Sequence, residues 1–526
     1  MISLGSRRTL VAVAAPQELA VAAATEAVAE GGNAIDAALA AAALLVVAYP
    51  HQCALGGDLT ALVRDPGGAV TAVLSLGAAP AGVDVEALRA QGERMPTRGA
   101  LSVTVPGIVA GWRELAGLGA TLGLRGPLLR AAAAAADGVE IVPGLGRAIV
   151  EHLDVLRVDP GLRGVFTDEG ELLTAGDTLR QPALAATLET LAHDPSRMYS
   201  GEIGAALVAF LREGGSAMTP DDFAAHAAER PRPLTKTEGA VSWWVAPPPS
   251  QGATLMALLG PGAVDLTGAE PSAVDLTGDI GGVGRPQAVG PLARARAAQG
   301  ARNRLLGDPR GGEIDVEGLL DPFAAAAGDA PPRGAGDTVA IAAVDDEGRS
   351  VALIQSNFYS FGSGMLEQRT GVLLHNRGSY FLLVPGHPGE IGPGRRPPHT
   401  LCPLLAETGE TRAAIGSQGG SAQPLILSQV AAAALDPDAS LDDALARPRW
   451  VVGDRELGFE AETVLAEPGA EATLQPELAA AGAPPLATGT ARDGRCGHVQ
   501  IARSLAAGKL EAASDPRADG TAVVTR

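Results

Sequence analysis

The stretch Gly336-Asp337-Thr338-Val339-Ala340-Ile341-Ala342-Ala343-Val344 places a hydroxyl-bearing residue at the start of an apolar strand. It follows residues 324–336, whose Ala, Gly and Pro content is typical of a loose linker. If the peptide bond before Thr338 is cut, this residue gains a free α-amine beside its own hydroxyl. It then carries a nucleophile and a base together, which is the arrangement of an N-terminal threonine nucleophile. The alternative interpretation is a threonine that simply begins a strand.

Length and charge narrow the possible classes of protein. The chain has 526 residues, more than one hydrophobic core usually needs. Its 60 acidic residues outnumber the 40 basic ones and give a formal net charge of −20. This balance, without a basic stripe, argues against a nucleic-acid partner and against binding to an anionic membrane surface.

Cysteine and histidine usage indicates neither a disulfide framework nor a metal centre. The three cysteines, Cys53, Cys402 and Cys496, are far apart and odd in number, so we expect buried free thiols. The eight histidines show no metal-binding spacing. We therefore expect no metal and no cofactor.

The start of the chain bears on location. Ser6-Arg7-Arg8-Thr9-Leu10 resembles a twin-arginine export signal. The apolar run after it is short, and Gln17 and Glu18 interrupt it. We therefore expect a cytoplasmic protein. The longest apolar stretch, residues 37–48, is too short to span a bilayer.

The pattern of the chain changes at Thr338. Residues 1–337 indicate a larger, helix-rich segment, with helices expected at 18–30 and 36–48 and with Asn33 as the cap of the second. Residues 338–526 indicate a smaller, strand-rich segment that begins with paired strands at 338–344 and 349–356. Further along, a strand is expected at 401–405 and a helix at 422–435. Residues of about 259–290 contain AVDLTG twice and predict a solvated insertion.

Short motifs follow one another along nearly the whole chain. They are Gly31–Ala38, Pro50-His51, Gly56-Gly57, Val105-Pro106-Gly107, Met218–Phe223, Pro247–Gly252, Leu306–Pro309, Gly336-Asp337-Thr338, Gln355-Ser356, Phe361–Gly364, Asn376-Arg377-Gly378, Gly416–Gly420, Pro448-Arg449 and Gly497-His498. Each motif is weak alone. Their order and spacing together resemble the γ-glutamyltransferase (γ-glutamyltranspeptidase) family.

The resemblance implies a fold and a set of catalytic residues. The fold is an α+β, four-layer αββα sandwich of the N-terminal-nucleophile hydrolase type. The precursor would cleave itself between Asp337 and Thr338, and its two halves would stay together as a heterodimer, with a further dimerisation of that heterodimer left open. Thr338 would be the nucleophile and Ser356 the hydroxyl that orients it. The backbone N–H groups of Gly419 and Gly420 would stabilise the oxyanion.

The positions that recognise the substrate depart from the family pattern. The family's R-E-x-A-P motif, whose arginine binds the glutamyl α-carboxylate, is here Leu76–Pro80, without arginine. The N-N-x-M-D-D-F motif, which supplies an acid for the α-amino group, is here His375–Phe381, without a carboxylate. The paired serines are replaced by His399 and Thr400.

Three residues are therefore candidates for substrate binding: Asn376, Arg377 and Thr400. Arg377 either holds a substrate carboxylate through both of its terminal nitrogens or pairs with a structural acid; the sequence leaves both open.

The resemblance implies a small-molecule amide substrate and three possible functions. The first is a self-processing amidohydrolase/acyltransferase that cleaves γ-glutamyl amides, such as glutathione, through a threonyl acyl-enzyme and passes the acyl group to water or an amine. The second keeps this mechanism but acts on glutaryl or other acyl amides, as in the cephalosporin/glutaryl acylase branch. The third is a non-catalytic relative that is never processed.

Overall fold

The computed structural model describes residues 8–259, 290–323, 337–454 and 457–526. Residues 260–289 of the expected insertion and the expected linker 324–336 lie outside the described residues. Two six-stranded antiparallel sheets pack face to face, and helices cover the outer face of each sheet. The expected α+β, four-layer αββα sandwich is confirmed.

The first sheet carries the strand that begins at the predicted cleavage site, here named the nucleophile strand (Asp337–Asp345). The strands of this sheet lie in the order Thr521–Thr525, Val11–Ala15, Asp337–Asp345, Ser350–Phe358, Asp58–Arg64 and Val70–Ser75. Side chains alternate between its two faces. Val339, Ile341 and Ala343 join the core beneath the helices, whereas Ala342 and Val344 join the core between the sheets.

The second sheet packs against the first through small side chains. Its strands lie in the order Leu510–Ser514, Val499–Ser504, Thr411–Ser417, Leu404–Thr408, Val241–Val245 and Leu234–Glu238. Ala342 and Ala352 of the first sheet share a core with Ala414 and Ala502 of the second. Small alanine side chains therefore fill part of the space where the two sheets meet.

Two helices, Glu18–Ala29 and Ala34–Ala48, pack in the core beneath the first sheet. The second begins with a capping box, in which the Asn33 side chain accepts from Asp36 N and the Asp36 side chain accepts from Asn33 N. The predicted cap at Asn33 is therefore confirmed. Among the described residues, the other α-helices are Val85–Gln91, Ile108–Ala116, Arg125–Asp137, Pro143–Glu151, Leu153–Val158, Pro160–Phe166, Pro182–His193, Arg197–Ser200, Glu202–Glu213, Pro220–Ala224, Gly252–Leu258, Pro291–Leu305, Val316–Leu320, Gln423–Ser428, Ala431–Leu435, Leu441–Ala446 and Gln475–Leu478.

Two local expectations differ from the structure. The helix expected at 422–435 is divided into Gln423–Ser428 and Ala431–Leu435. At the break, the Gln429 side chain donates to Trp450 O at 2.9 Å and accepts from Trp450 N at 3.1 Å, which ties this turn to a neighbouring strand. The strand expected at 401–405 begins only at Leu404, and the preceding Cys402 N donates to the Gln423 side chain at 2.9 Å.

The two segments that meet at residue 337 share both sheets. In the first sheet, Val13 of the large segment pairs with Ala343, and Thr60 pairs with Ile354. In the second sheet, Trp244 pairs with Leu405. The boundary therefore divides the chain but not the hydrophobic core.

Two further features bear on the expectations from sequence. All three cysteines are buried and free, as expected. Within the described ranges, no helix combines the length and the apolar character needed to cross a membrane.

Gly77 marks a close approach of two backbone segments, because a Cβ added there would lie 1.7 Å from the carbonyl oxygen of Val105. We expect Gly77→Ala to lower the free energy of unfolding by about 1–3 kcal/mol. The control is Gly164→Ala in the helix Pro160–Phe166, where the added Cβ would have no neighbour within 4 Å outside its own turn of helix. It should raise that free energy by roughly 0.5–1 kcal/mol. Urea unfolding measures both, and equal effects would contradict the close approach.

Candidate active site

Thr338 lies buried at the second position of the nucleophile strand, opposite an irregularity in the strand pairing. Asp337 pairs with Phe358 and Val339 pairs with Gln355, so the partner strand has one residue more between these pairs. Such a bulge turns side chains out of their regular alternation. Asn357 holds the bulge in place, since its side chain accepts from Ala54 N at 2.9 Å and donates to Pro50 O at 2.9 Å.

The bulge brings two hydroxyl groups and the predicted scissile carbonyl together. Thr338 Oγ1 donates to Ser356 Oγ at 3.1 Å. Ser356 Oγ donates in turn to the carbonyl oxygen of Asp337 at 2.5 Å and accepts from Phe358 N at 2.8 Å. The structure thus places the predicted nucleophile, its predicted partner and the predicted cleavage site in one hydrogen-bonded chain.

The side chain of Asp337 is held separately from its carbonyl group. Ser360 Oγ donates to Oδ2, and Gln418 Nε2 donates to Oδ1 at 3.3 Å. Two hydrogen bonds from other segments hold the loop that carries Ser360. Arg98 Nη1 donates to Ser360 O at 2.7 Å. Tyr359 N donates to Asn376 Oδ1 at 3.0 Å. Asn376, predicted to bind substrate, here supports this loop.

The predicted oxyanion loop contains two glycines with positive φ, +139° at Gly419 and +52° at Gly420. A Cβ at Gly419 would lie 2.4 Å from Ile426 Cδ1, and its positive φ also disfavours any residue with a side chain. The loop is anchored through carbonyl oxygens: Gly420 O accepts from Gln251 Nε2 at 2.9 Å, and Gly419 O accepts from Ala422 N at 2.9 Å. Anchoring of this kind leaves backbone N–H groups available for an oxyanion.

A cavity of about 670 Å³ opens beside this cluster. Its wall includes Asp337, Ser360, Gln418 and Gly419. The remaining wall is rich in polar and charged side chains, among them His51, Arg147, Glu151, Arg492 and His498. This is the space through which a small molecule could approach the residue before Thr338.

Arg377 is completely buried away from this cavity and does not line it. Its Nη1 donates to Thr400 Oγ1 at 3.1 Å, and its guanidinium lies over the Phe358 ring at 4.0 Å from the centroid. Its Nε and Nη2 have no hydrogen-bond partner among the described residues. Burial lowers the pKa of Arg377 to about 10, although Asp58 opposes the shift.

A buried acid and two histidines lie near Arg377. Asp58 Oδ2 accepts from His399 Nε2 at 3.1 Å and lies 3.5 Å from His375 Nδ1. Burial alone would raise the pKa of Asp58, but His375, His399 and Arg377 outweigh it and hold the pKa below its usual value. Burial, followed by the charge of Arg377, lowers the pKa of His399 to about 3. Asp58 is therefore a buried acid whose charge acts on the Arg377 guanidinium.

The positions that depart from the family pattern have structural roles. Leu76, in the place of the expected arginine, packs in a small apolar cluster with Leu74 and Ala246. Tyr380, in the segment that lacks the acid, shares a hydrogen bond of 2.9 Å with Ser421. None of the three predicted substrate-binding residues lines the 670 Å³ cavity, and their role stays a prediction.

Sequence reasoning did not assign roles to Ser360, Gln418 or Asp58. Gln418 lies within the motif Gly416–Gly420, and Asp58 directly follows the Gly56-Gly57 pair, but neither pattern indicates a partner. Ser360 carries no local signal at all, since its contact with Asp337 spans 23 residues of sequence.

A threonine that can become a chain end, a second hydroxyl beside it and an αββα sandwich around both define the class of N-terminal-nucleophile hydrolases. A family model described as gamma-glutamyltranspeptidase matches residues 20–525. The chain therefore belongs to the γ-glutamyltranspeptidase family.

Relatives match over nearly the whole length. The oxamate amidohydrolase proenzyme of Klebsiella pneumoniae is 33% identical, over 97% of this chain and 97% of that protein. The glutathione hydrolase-like YwrD proenzyme of Bacillus subtilis is 31% identical, over 97% of this chain and 98% of that protein. The crystal structure of cephalosporin acylase from Bacillus halodurans superposes with a TM-score of 0.81 at 26% identity, covering 99% of this chain and 98% of that chain.

Buried histidines make the fold sensitive to acid. Burial lowers the pKa of His51 to about 3, so the folded chain keeps it neutral where the unfolded chain, with a pKa near 6.5, binds a proton. Above pH ~6.5 both states are neutral at this histidine and the free energy of unfolding is not reduced. As the pH falls towards 3, the unfolded chain binds the proton first and the free energy of unfolding decreases. We expect His51→Gln to reduce the pH dependence of the unfolding free energy between pH 6 and 4 by roughly 1 kcal/mol per pH unit.

Urea unfolding at three pH values measures this dependence. The exposed His193 provides the control, because His193→Gln should leave the wild-type slope in place. A slope that is the same in His51→Gln and in the wild type would contradict the burial argument.

Proposed function

We propose that the chain is a self-processing amidohydrolase/acyltransferase that uses Thr338 as its nucleophile. The observation that carries the proposal is the hydrogen-bonded chain from Thr338 Oγ1 through Ser356 Oγ to the carbonyl oxygen of Asp337. Membership in the γ-glutamyltranspeptidase family supports it, as do two relatives that are named as proenzymes.

Self-cleavage follows from this arrangement without a free base. Thr338 Oγ attacks the carbonyl carbon of Asp337, its proton passes to Ser356 Oγ, and the proton of Ser356 passes to the carbonyl oxygen. The tetrahedral intermediate then breaks its C–N bond, and the nitrogen of Thr338 takes up the proton from that oxygen. The resulting ester is hydrolysed by water, which leaves a carboxylate on Asp337 and a free amine on Thr338.

The new chain end then acts on external amides. An α-amine has a pKa of about 7.7–8.0 and can serve as a base near neutral pH. Thr338 Oγ attacks the substrate carbonyl, the leaving amine takes the proton, and the N–H groups of Gly419 and Gly420 stabilise the oxyanion, at about 10²–10³ in rate for a donor. Water or an amine acceptor resolves the acyl-enzyme.

Ser356→Ala should slow self-cleavage about 100-fold or more, because the proton path to the carbonyl oxygen is lost. Ser356→Thr keeps a hydroxyl group and is the matched control, expected to cleave at a rate near that of the wild type. Thr338→Ala should remain one chain. Cell-free synthesis followed by intact mass measures the fragments 1–337 and 338–526 over time.

An intact wild-type chain would contradict the proposal and favour the non-catalytic relative. A cut at another peptide bond would contradict the assignment of Thr338. A processed wild type that carries the cut between Asp337 and Thr338 is the expected result.

We favour a substrate whose acyl group carries a carboxylate but no α-amine. Support comes from the segment His375–Phe381, which carries no acid, and from Asp58, whose carboxylate is already occupied by His399 and by Gly77 N at 3.0 Å. The relative named for oxamate is a further support, since oxamate is the amide of a dicarboxylic acid without an amine. γ-Glutamyl amides are the second candidate, favoured by the relative named as glutathione hydrolase-like.

Glutaryl and γ-glutamyl p-nitroanilides differ only in the α-ammonium group and separate these candidates. We expect kcat/KM for the glutaryl compound to exceed that for the γ-glutamyl compound by about 10-fold or more, because a buried ammonium group without an acid is disfavoured. The reverse order would assign the chain to γ-glutamyl amides. Arg377→Ala tests the role predicted for Arg377, and an unchanged KM for every acyl substrate would exclude it.

A further inference from the structure

The carboxylate of Asp337 occupies a small binding site on the wall of the 670 Å³ cavity. Ser360 Oγ and Gln418 Nε2 donate to its two oxygens, the latter at 3.3 Å. Both side chains line the cavity together with Asp337. These two donors are named here the carboxylate clamp.

The surroundings of the clamp suit an anion. Arg98 acts on Asp337 through its charge, and its Nη1 donates to the carbonyl oxygen of Ser360 at 2.7 Å. The clamp therefore presents two donors to a negative group, with the Arg98 guanidinium behind its serine.

The scissile residue is itself a dicarboxylic acyl group. In Asp337, two carbons separate the carbonyl carbon that Thr338 attacks from the carboxylate carbon that the clamp holds. Ser356 Oγ fixes the carbonyl oxygen at 2.5 Å, and the clamp fixes the other end. Together they define the length of a four-carbon acyl chain.

The same oxygen, Thr338 Oγ, attacks Asp337 during processing and the substrate afterwards, so the substrate carbonyl must come close to the place that the Asp337 carbonyl leaves. We propose that the clamp, once Asp337 has departed, binds the carboxylate of the substrate's acyl group and selects amides of four-carbon dicarboxylic acids, the succinamate type. This inference rests on the proposed function and names its acyl group. Arg377 lies outside the wall of this cavity.

The test is a series of mono-p-nitroanilides of oxalic, malonic, succinic and glutaric acids, with butyric p-nitroanilide as the control that replaces the succinyl carboxylate by a methyl group. Processed wild-type enzyme should show its highest kcat/KM for the succinyl compound, by about 10-fold or more over the malonyl, glutaryl and butyryl compounds. A maximum at another length, or butyryl turnover equal to succinyl turnover, would overturn the inference.

Variants of the clamp separate recognition from a merely structural role. Ser360→Ala and Gln418→Met should raise KM for the succinyl anilide about 10-fold or more while KM for the butyryl anilide changes less than about twofold. Ser360→Thr, which keeps the hydroxyl group, should restore succinyl binding. Equal losses for both anilides would show that the clamp serves only the fold of the site.

Self-cleavage provides a second readout that needs no substrate. Asp337→Ala, which leaves the clamp empty, should slow cleavage about 10-fold or more in cell-free synthesis, and Asp337→Glu, one methylene longer, should also be slower than the wild type. Wild-type rates in both variants would overturn the inference.

The outcomes distinguish this inference from the proposed function. Turnover of glutaryl or γ-glutamyl anilides without a succinyl preference removes only the clamp's role in selecting length. A processed enzyme that cleaves none of the amides overturns the proposed function and the inference together.

Discussion

The site depends on the hydrogen bonds of the Ser356 hydroxyl group. It has one proton and two lone pairs, and it donates to the carbonyl oxygen of Asp337 while accepting from Thr338 Oγ1 and Phe358 N. A hydroxyl bonded in three directions has little freedom to rotate. The bulge that aligns these atoms is fixed in turn by Asn357. Its side-chain amide forms hydrogen bonds with the backbone of Pro50 and Ala54, in the loop before Asp58.

The surrounding layers make this alignment rigid. The nucleophile strand lies inside the first sheet, paired on both sides, with helices on one face and the second sheet on the other. Arg98 donates a hydrogen bond to the carbonyl oxygen of Ser360, and Gln251 donates one to the carbonyl oxygen of Gly420, so both loops are held through their backbone. Polar side chains that converge on one point from several elements are the general way in which reacting groups are held in a productive geometry.

Local patterns in the sequence predicted part of this architecture. The strand that contains Thr338 and the cap at Asn33 follow from neighbouring residues alone. The four layers were implied by the resemblance to the family. The direction of Arg377 did not follow, because residue type does not fix whether a side chain faces a cavity or a core; here it stacks on Phe358 and donates to Thr400.

Contacts between distant parts of the chain also could not be predicted. Gln418 meets Asp337 across 81 residues, and no periodicity links the two. The division of the helix expected at 422–435 has the same origin, since it depends on the contact between Gln429 and Trp450. Tertiary contacts of this kind override local propensity.

Because the two segments share both sheets, synthesis as a single-chain precursor also affects how the sheets assemble. Made as two separate polypeptides, the large segment would expose Val11–Ala15 and Asp58–Arg64 without the two strands that lie between them in the first sheet. Unpaired strand edges of this kind invite aggregation. Synthesis as one polypeptide supplies both partners in equal number and closes the sheet before any bond is broken.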